Sequence, residues 1–268
     1  MRSSPSPPRR GGEGRGDVGS SPPPTCGSAT TSPSRRSRGG PHPLPRSAAE
    51  REFAAPLTLA GFGDAIASLC AADADLAGVV TAFGAPPMWR RPQGFPTLML
   101  LILEQQVSLA SARATHNRLI ARLGGALEPA PFLGLGDDDL KAIGFSRQKA
   151  RYGRELARAV ADGALRLDRL ARRDDDAVRA ALTAITGIGR WTADIYLMMA
   201  LRRPDVWPCG DLALAVAAHR VKRLRARPTP DALDRLGERW RPHRAVAARI
   251  LWHYYLSTVR KKPKENPA

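Results

Sequence analysis

The sequence predicts an all-α fold. Apolar residues recur at helical spacing from residue 57 onward, Gly- and Pro-containing turn signals punctuate them, and no stretch sustains the apolar/polar alternation of a strand. Phe62, Ile66, Leu69 and Cys70 share the first helical face, and Asp73 through Val80 and Phe83 continues it. Residues 97–122 hold the most apolar helices, broken near Gln105–Ser108. Further helices are expected over Ala142–Ala161, Ala177–Ile185, Trp191–Leu201, Leu212–Arg225, Asp231–Arg239 and Val246–Tyr255. Turn signals separate them: GG at 124–125, GLGD at 134–137, RRP at 202–204, RPTP at 227–230 and RPH at 241–243.

Residues 1–50 are a different kind of polymer, rich in Ser, Pro, Gly and Arg and nearly free of large apolar side chains. Such a segment buries too little surface to offset its ordering entropy, so it is expected to be a disordered tail. A dispensable extension or a start codon assigned too far upstream explains it as well as a role in attracting phosphates does. A helical domain is expected over 57–260 and a basic C-terminal tail over 261–268.

The chain has 268 residues and a formal net charge of +17. That excess favours a polyanionic partner, although a biased coding composition inflates Arg in the same way. Cys26, Cys70 and Cys209 are widely spaced with no CxxC pair, which suggests neither a zinc site nor a disulfide framework. His42, His116, His219, His243 and His253 show no metal-ligand spacing. No apolar run is long enough to span a membrane, and residues 1–20 lack the apolar core of a secretory signal. An intracellular, reducing compartment is expected: the cytoplasm, and in a bacterium its nucleoid.

Residues 182–193 read LTAITGIGRWTA. Val178, Leu182 and Ile185 share a helical face, Gly187 and Gly189 interrupt it, and a second helix starts near Trp191 and runs through Ile195, Met198 and Met199. Glycine permits positive φ and close backbone approach. The first amides of the second helix lack intrahelical partners, so they can bind a phosphate without a cationic side chain. An ordinary tight αα-hairpin would use the same glycines. Twenty-two positions after Gly189, Asp211 enters the apolar helix of WPCGDLALAV. A lone carboxylate there is suited to chemistry, and equally to capping the helix.

LTAITGIGRWTA resembles the helix–hairpin–helix of the base-excision DNA glycosylase (HhH-GPD) superfamily, and WPCGDLAL resembles its Gly/Pro-rich stretch ending in the catalytic aspartate. TLMLLILEQQVSLASA at 97–112, IGFSRQKARYGRELARAV at 143–160 and WRPHRAVAARILWHYY at 240–255 resemble the 3-methyladenine DNA glycosylase II branch. The match runs from Asp73 to Tyr255 and implies two helical lobes with a cleft between them. Only a short segment separates the tail from the first family-like motif, so the N-terminal β domain of some relatives is not expected.

The resemblance implies a monofunctional enzyme that flips an alkylated base out of double-stranded DNA and hydrolyses its N-glycosidic bond, leaving an abasic site. Asp211 is the implied catalytic residue. Trp191 stands where bifunctional relatives carry a lysine nucleophile, and its π face suits an electron-poor ring. Trp252 matches a second aromatic of the base pocket, and Tyr196 is a third candidate, although the family's tyrosine falls at Ile195 here. Trp240 and Arg244 are expected to pack or pair structurally. The wedge that fills the hole left by a flipped base maps to EQQVS, at Gln106, where one relative has Leu; Gln105 and Gln106 would otherwise cap helices or bridge them. Gly187, Gly189 and Thr192 are the implied phosphate amides.

The carbonyls of Thr183, Ile185 and Ile188 are the implied ligands of a structural monovalent cation. No other cofactor is implied, and with no Cys after Cys209 the iron–sulfur cluster of some relatives is not expected. The implied partner is double-stranded DNA containing damaged bases, bound by a monomer away from any membrane. A glycosylase for oxidised or mismatched bases, or a non-catalytic DNA-binding module, are the alternatives. Trp191 disfavours lyase chemistry, and Asp211 with two pocket-type tryptophans disfavours the module.

Overall fold

The computed structural model describes residues 55–258. The tails expected over 1–50 and 261–268 lie outside the described residues. Helices and turns, and no strand, make up the described residues. In chain order the helices are α1 (Leu59–Ala72), α2 (Ala74–Phe83), α3 (Phe95–Glu104), α4 (Leu109–Arg122), α5 (Pro129–Leu133), α6 (Asp137–Ile143), α7 (Arg147–Ala161), α8 (Leu167–Leu170), α9 (Asp175–Thr183), α10 (Arg190–Met199), α11 (Leu212–Val221), α12 (Pro230–Gly237) and α13 (Arg244–Thr258), with a 3-10 turn at Glu238–Trp240.

Local chemistry sets where these helices start. Thr58, Asp73, Ser108, Ser146, Asp174, Asp211 and Thr229 each accept a hydrogen bond from a first-turn amide of the helix that follows. Each such cap is worth about 1 kcal/mol. The run expected over Ala142–Ala161 is split because Gly144 adopts φ 106° and closes α6, after which Ser146 caps α7. The short α5 and α8 had no periodic signal of their own.

Packing arranges the helices in two lobes. α3 to α7 pack on one another in the first, around an α3 whose Leu98, Met99, Leu101, Ile102 and Leu103 are all buried. α1, α2, α11, α12 and α13 form the second, so its halves come from opposite ends of the described chain. Asp73 joins those halves: its carboxylate accepts from Lys222 Nζ at 2.9 Å and from Trp240 Nε1 at 2.9 Å. α10 packs on α9 and α3, and the Met198 carbonyl near its end accepts from Arg249 of α13 at 2.8 Å. The hairpin helix thus lies between the lobes. No helix among the described residues is long and apolar enough to cross a membrane.

Candidate active site

The hairpin links α9 to α10. Gly187 has φ 95°, and a Cβ there would overlap the Tyr152 ring of α7, so the turn tolerates only glycine at this point. Gly189 precedes α10 with no side-chain cap, which leaves the first-turn amides without a partner from within the helix. Gly189 and Arg190 are exposed, and Gly187 is half-buried. Thr192, also expected among the phosphate amides, is 3% exposed, and its hydroxyl lies 3.4 Å from Gln105 Nε2. The surface open to a phosphate is therefore the Gly187–Arg190 end of the turn, with Thr192 beneath it.

Two groups brace this turn: Gln105, for which bridging between helices was one expectation, and Asp194, which the sequence did not single out. Gln105, at the end of α3, donates to the Gly187 carbonyl at 2.8 Å. Asp194 is fully buried on α10 and accepts from Arg179 Nε at 2.7 Å and Arg190 Nε at 3.3 Å. Burial pushes its carboxyl above the usual range, against the pull of both guanidiniums and of a hydrogen bond from the Cys209 amide. The Asp194 carboxylate thereby ties the hairpin to the loop that delivers Asp211. An Arg four residues before an Asp on an otherwise apolar helix was the available signal.

Asp211 caps α11 and is 8% exposed. Its Oδ1 accepts from the Leu214 amide at 2.8 Å and from Trp252 Nε1 at 3.2 Å. Its Oδ2 accepts from Trp191 Nε1 at 2.8 Å. The cap uses Oδ1 and leaves Oδ2 to the Trp191 indole. Three helices converge here: α10 supplies Trp191, α11 is capped by Asp211, and α13 supplies Trp252. The approaching loop is anchored by Trp207, whose ring lies 5.5 Å from that of Trp240. Arg249, one turn before Trp252, is buried and donates to the Ala245 and Met198 carbonyls, holding α13 against the end of α10. Burial lowers its pKa to about 10.

The family model of HhH-GPD superfamily base excision DNA repair proteins matches residues 99–242, which include the hairpin and the aspartate. The chain belongs to this superfamily. It is 30% identical over 162 residues to Bacillus subtilis YfjP, which carries the name of a DNA-3-methyladenine glycosylase; the match covers 58% of this chain and 56% of YfjP. It is 33% identical over 201 residues to Mycobacterium tuberculosis AlkA, named as a bifunctional transcriptional activator and DNA repair enzyme, covering 70% of this chain and 39% of AlkA. It thus spans about half the length, or less, of these two relatives. The Schizosaccharomyces pombe 3-methyladenine DNA glycosylase, solved with abasic DNA, superposes with a TM-score of 0.66 at 27% identity over 70% of this chain and 95% of that one.

Other residues expected of an HhH-GPD protein fall in different places. Tyr196 is not a pocket wall: it is fully buried, and its hydroxyl accepts from the Gly94 amide at 3.0 Å. Ile195 is aliphatic and Tyr196 is buried, so neither position offers a third aromatic face. Gln106 is exposed at the joint of α3 and α4 with φ 58°, in the left-handed region that non-glycine residues rarely adopt. Val107 and Leu109 beside it are exposed apolar side chains that the sequence left unremarked. Trp240 bonds Asp73, and Arg244 pairs with Asp205 and Glu238. Neither reaches Asp211 through any of these bonds. No cluster of His, Cys, Asp and Glu among the described residues could hold a metal ion.

Proposed function

We propose that the chain is a monofunctional DNA glycosylase that flips alkylated bases out of double-stranded DNA and releases them by hydrolysis. The Asp211 carboxylate carries that reading: it is fixed at the start of α11 by two indole N–H groups and an amide, in a protein whose hairpin offers free amides to a phosphate. The names of YfjP and of the S. pombe enzyme support the substrate class.

Cleaving an N-glycosidic bond develops positive charge on the deoxyribose. Ionised Asp211 opposes that charge and can position the attacking water. A base alkylated at a ring nitrogen already carries positive charge, so it departs as a neutral molecule without a general acid. Half-buried Trp191 offers a π face to such a base. It also places an indole where a nucleophilic amine would be needed for lyase chemistry. Lys222 is paired with Asp73, and Lys149 donates to the Leu103 carbonyl at 2.7 Å.

The carbonyls of Thr183, Ile185 and Ile188 would hold a monovalent cation that strengthens the positive character of the turn. Neutral oxygens suit such an ion, and the Ile185 carbonyl, which accepts from the Ile188 amide at 3.0 Å, keeps a second lone pair. The enzyme is proposed to act as a monomer, in the compartment that holds the chromosome.

Single-turnover assays on duplexes carrying 7-methylguanine, hypoxanthine or 8-oxoguanine test the proposal. Release of 7-methylguanine should be fastest, strand scission should appear only after alkali, and borohydride should trap no covalent adduct. Release of 8-oxoguanine alone would make it an oxidised-base enzyme, and binding without release of any base would leave a DNA-binding module.

A further inference from the structure

Asp211 holds more donors than a helix cap requires. Oδ1 takes both the Leu214 amide and Trp252 Nε1, whereas Oδ2 takes Trp191 Nε1. An indole N–H is a donor only, and the bond lies in the plane of its ring. Each tryptophan therefore fixes the rotation of the carboxylate and its own ring relative to it. Trp252 is 8% exposed, which leaves little face for a base. The two indoles arrive from α10 and α13, so the carboxylate is gripped from both neighbouring helices.

We propose that Trp191 and Trp252 serve base release as positioning residues, whose indole N–H groups hold the Asp211 carboxylate with Oδ2 toward the sugar. The proposal rests on the glycosylase reading above. It assigns the tryptophans a task distinct from stacking. A pocket wall acts on the base, through area and ring charge, so its loss weighs differently on cationic and neutral lesions. A donor acts through Asp211 on the sugar, whose developing charge is common to every substrate, so its loss slows all of them by one factor. The geometry also ranks the two. Oδ1 keeps the Leu214 amide when the Trp252 N–H is removed, while Oδ2 loses the one donor it has among the described residues when the Trp191 N–H goes.

Site-specific replacement of each tryptophan in the full chain by 3-benzothienylalanine separates the tasks, because sulfur replaces the N–H while shape and π face persist. The readouts are single-turnover excision of 7-methylguanine and of hypoxanthine, and affinity for a duplex with an abasic-site analogue. Replacing Trp191 should slow both excisions by the same factor, about tenfold or more, with affinity unchanged. Replacing Trp252 should slow both by a smaller common factor. The same replacement at Trp240, whose N–H serves Asp73, should leave both rates intact. Wild-type rates in the Trp191 and Trp252 variants would overturn the proposal, and so would a loss confined to one lesion, which marks direct contact with the base. Wild-type protein that releases neither lesion would remove the glycosylase reading itself and the positioning role with it.

Discussion

At the scale of single residues, Asp211 caps α11, and the proposed function asks it also to oppose charge on the sugar. Asn caps a helix as well as Asp does, so Asp211→Asn should keep α11 and the fold. It removes the charge that opposes the developing cation, and it turns an N–H₂ toward one of the indole donors. Excision should fall by about 10²-fold or more while affinity for abasic duplex survives. Near-wild-type excision by the purified variant would refute the catalytic assignment. The place of Asp211 at the start of α11 was legible in the sequence, because a lone carboxylate before an apolar helical run is a pattern. The tasks of the aromatic residues were not. Residue type gives Trp191 and Trp252 a π face but says nothing of where the N–H points. Tyr196 was misplaced because Thr192 through Met198 of α10 are all buried, so periodicity cannot tell a pocket side from a core side.

At the scale of elements, the sequence located the hairpin and the main helices but not every boundary. The helical pattern runs on through α6 and α7, and only the left-handed Gly144 and the capping Ser146 divide them. The hairpin's supports were only partly legible, because Gln105, Tyr152 and Asp194 come from separate places in the chain and only the fold brings them to one turn. Their convergence yields a test. Gly187→Ala places a side chain at φ 95° and against Tyr152, so the turn must shift. The amides it presents are neutral and displace no counterions, so DNA affinity should drop, by about tenfold, with the slope of affinity against salt unchanged. Arg190→Ala, which removes an exposed cation from the same turn, should instead reduce that slope by about 1. A slope change in the glycine variant and none in the arginine variant would show that the amides are not the phosphate contact.

At the scale of the whole molecule, the second lobe is assembled from the two ends of the described chain, and Asp73 is where they meet. It caps α2, accepts from Trp240, and pairs with Lys222, whose ammonium also reaches Asp75 at 2.7 Å. None of this was legible locally, since Asp73 and Lys222 belong to separate helical patterns with ordinary surface signatures. Burial alone would raise the Asp73 carboxyl, but the hydrogen bonds from Lys222 and Trp240 outweigh it and hold it below its usual value of 3.8. A carboxyl depressed in the folded state adds stability that is present above its unfolded value and lost as pH falls through its folded one. Asp73→Asn keeps the cap but loses the charge, so it should lower stability at neutral pH by about 1–3 kcal/mol. That deficit should shrink once the pH drops below 3.8, because the wild-type carboxyl is then being neutralised as well. Urea unfolding of both proteins from pH 7 to pH 2.5 measures the difference. A deficit that stays constant into acid would mean that Asp73 stabilises the lobe by shape and capping, with no part played by its charge.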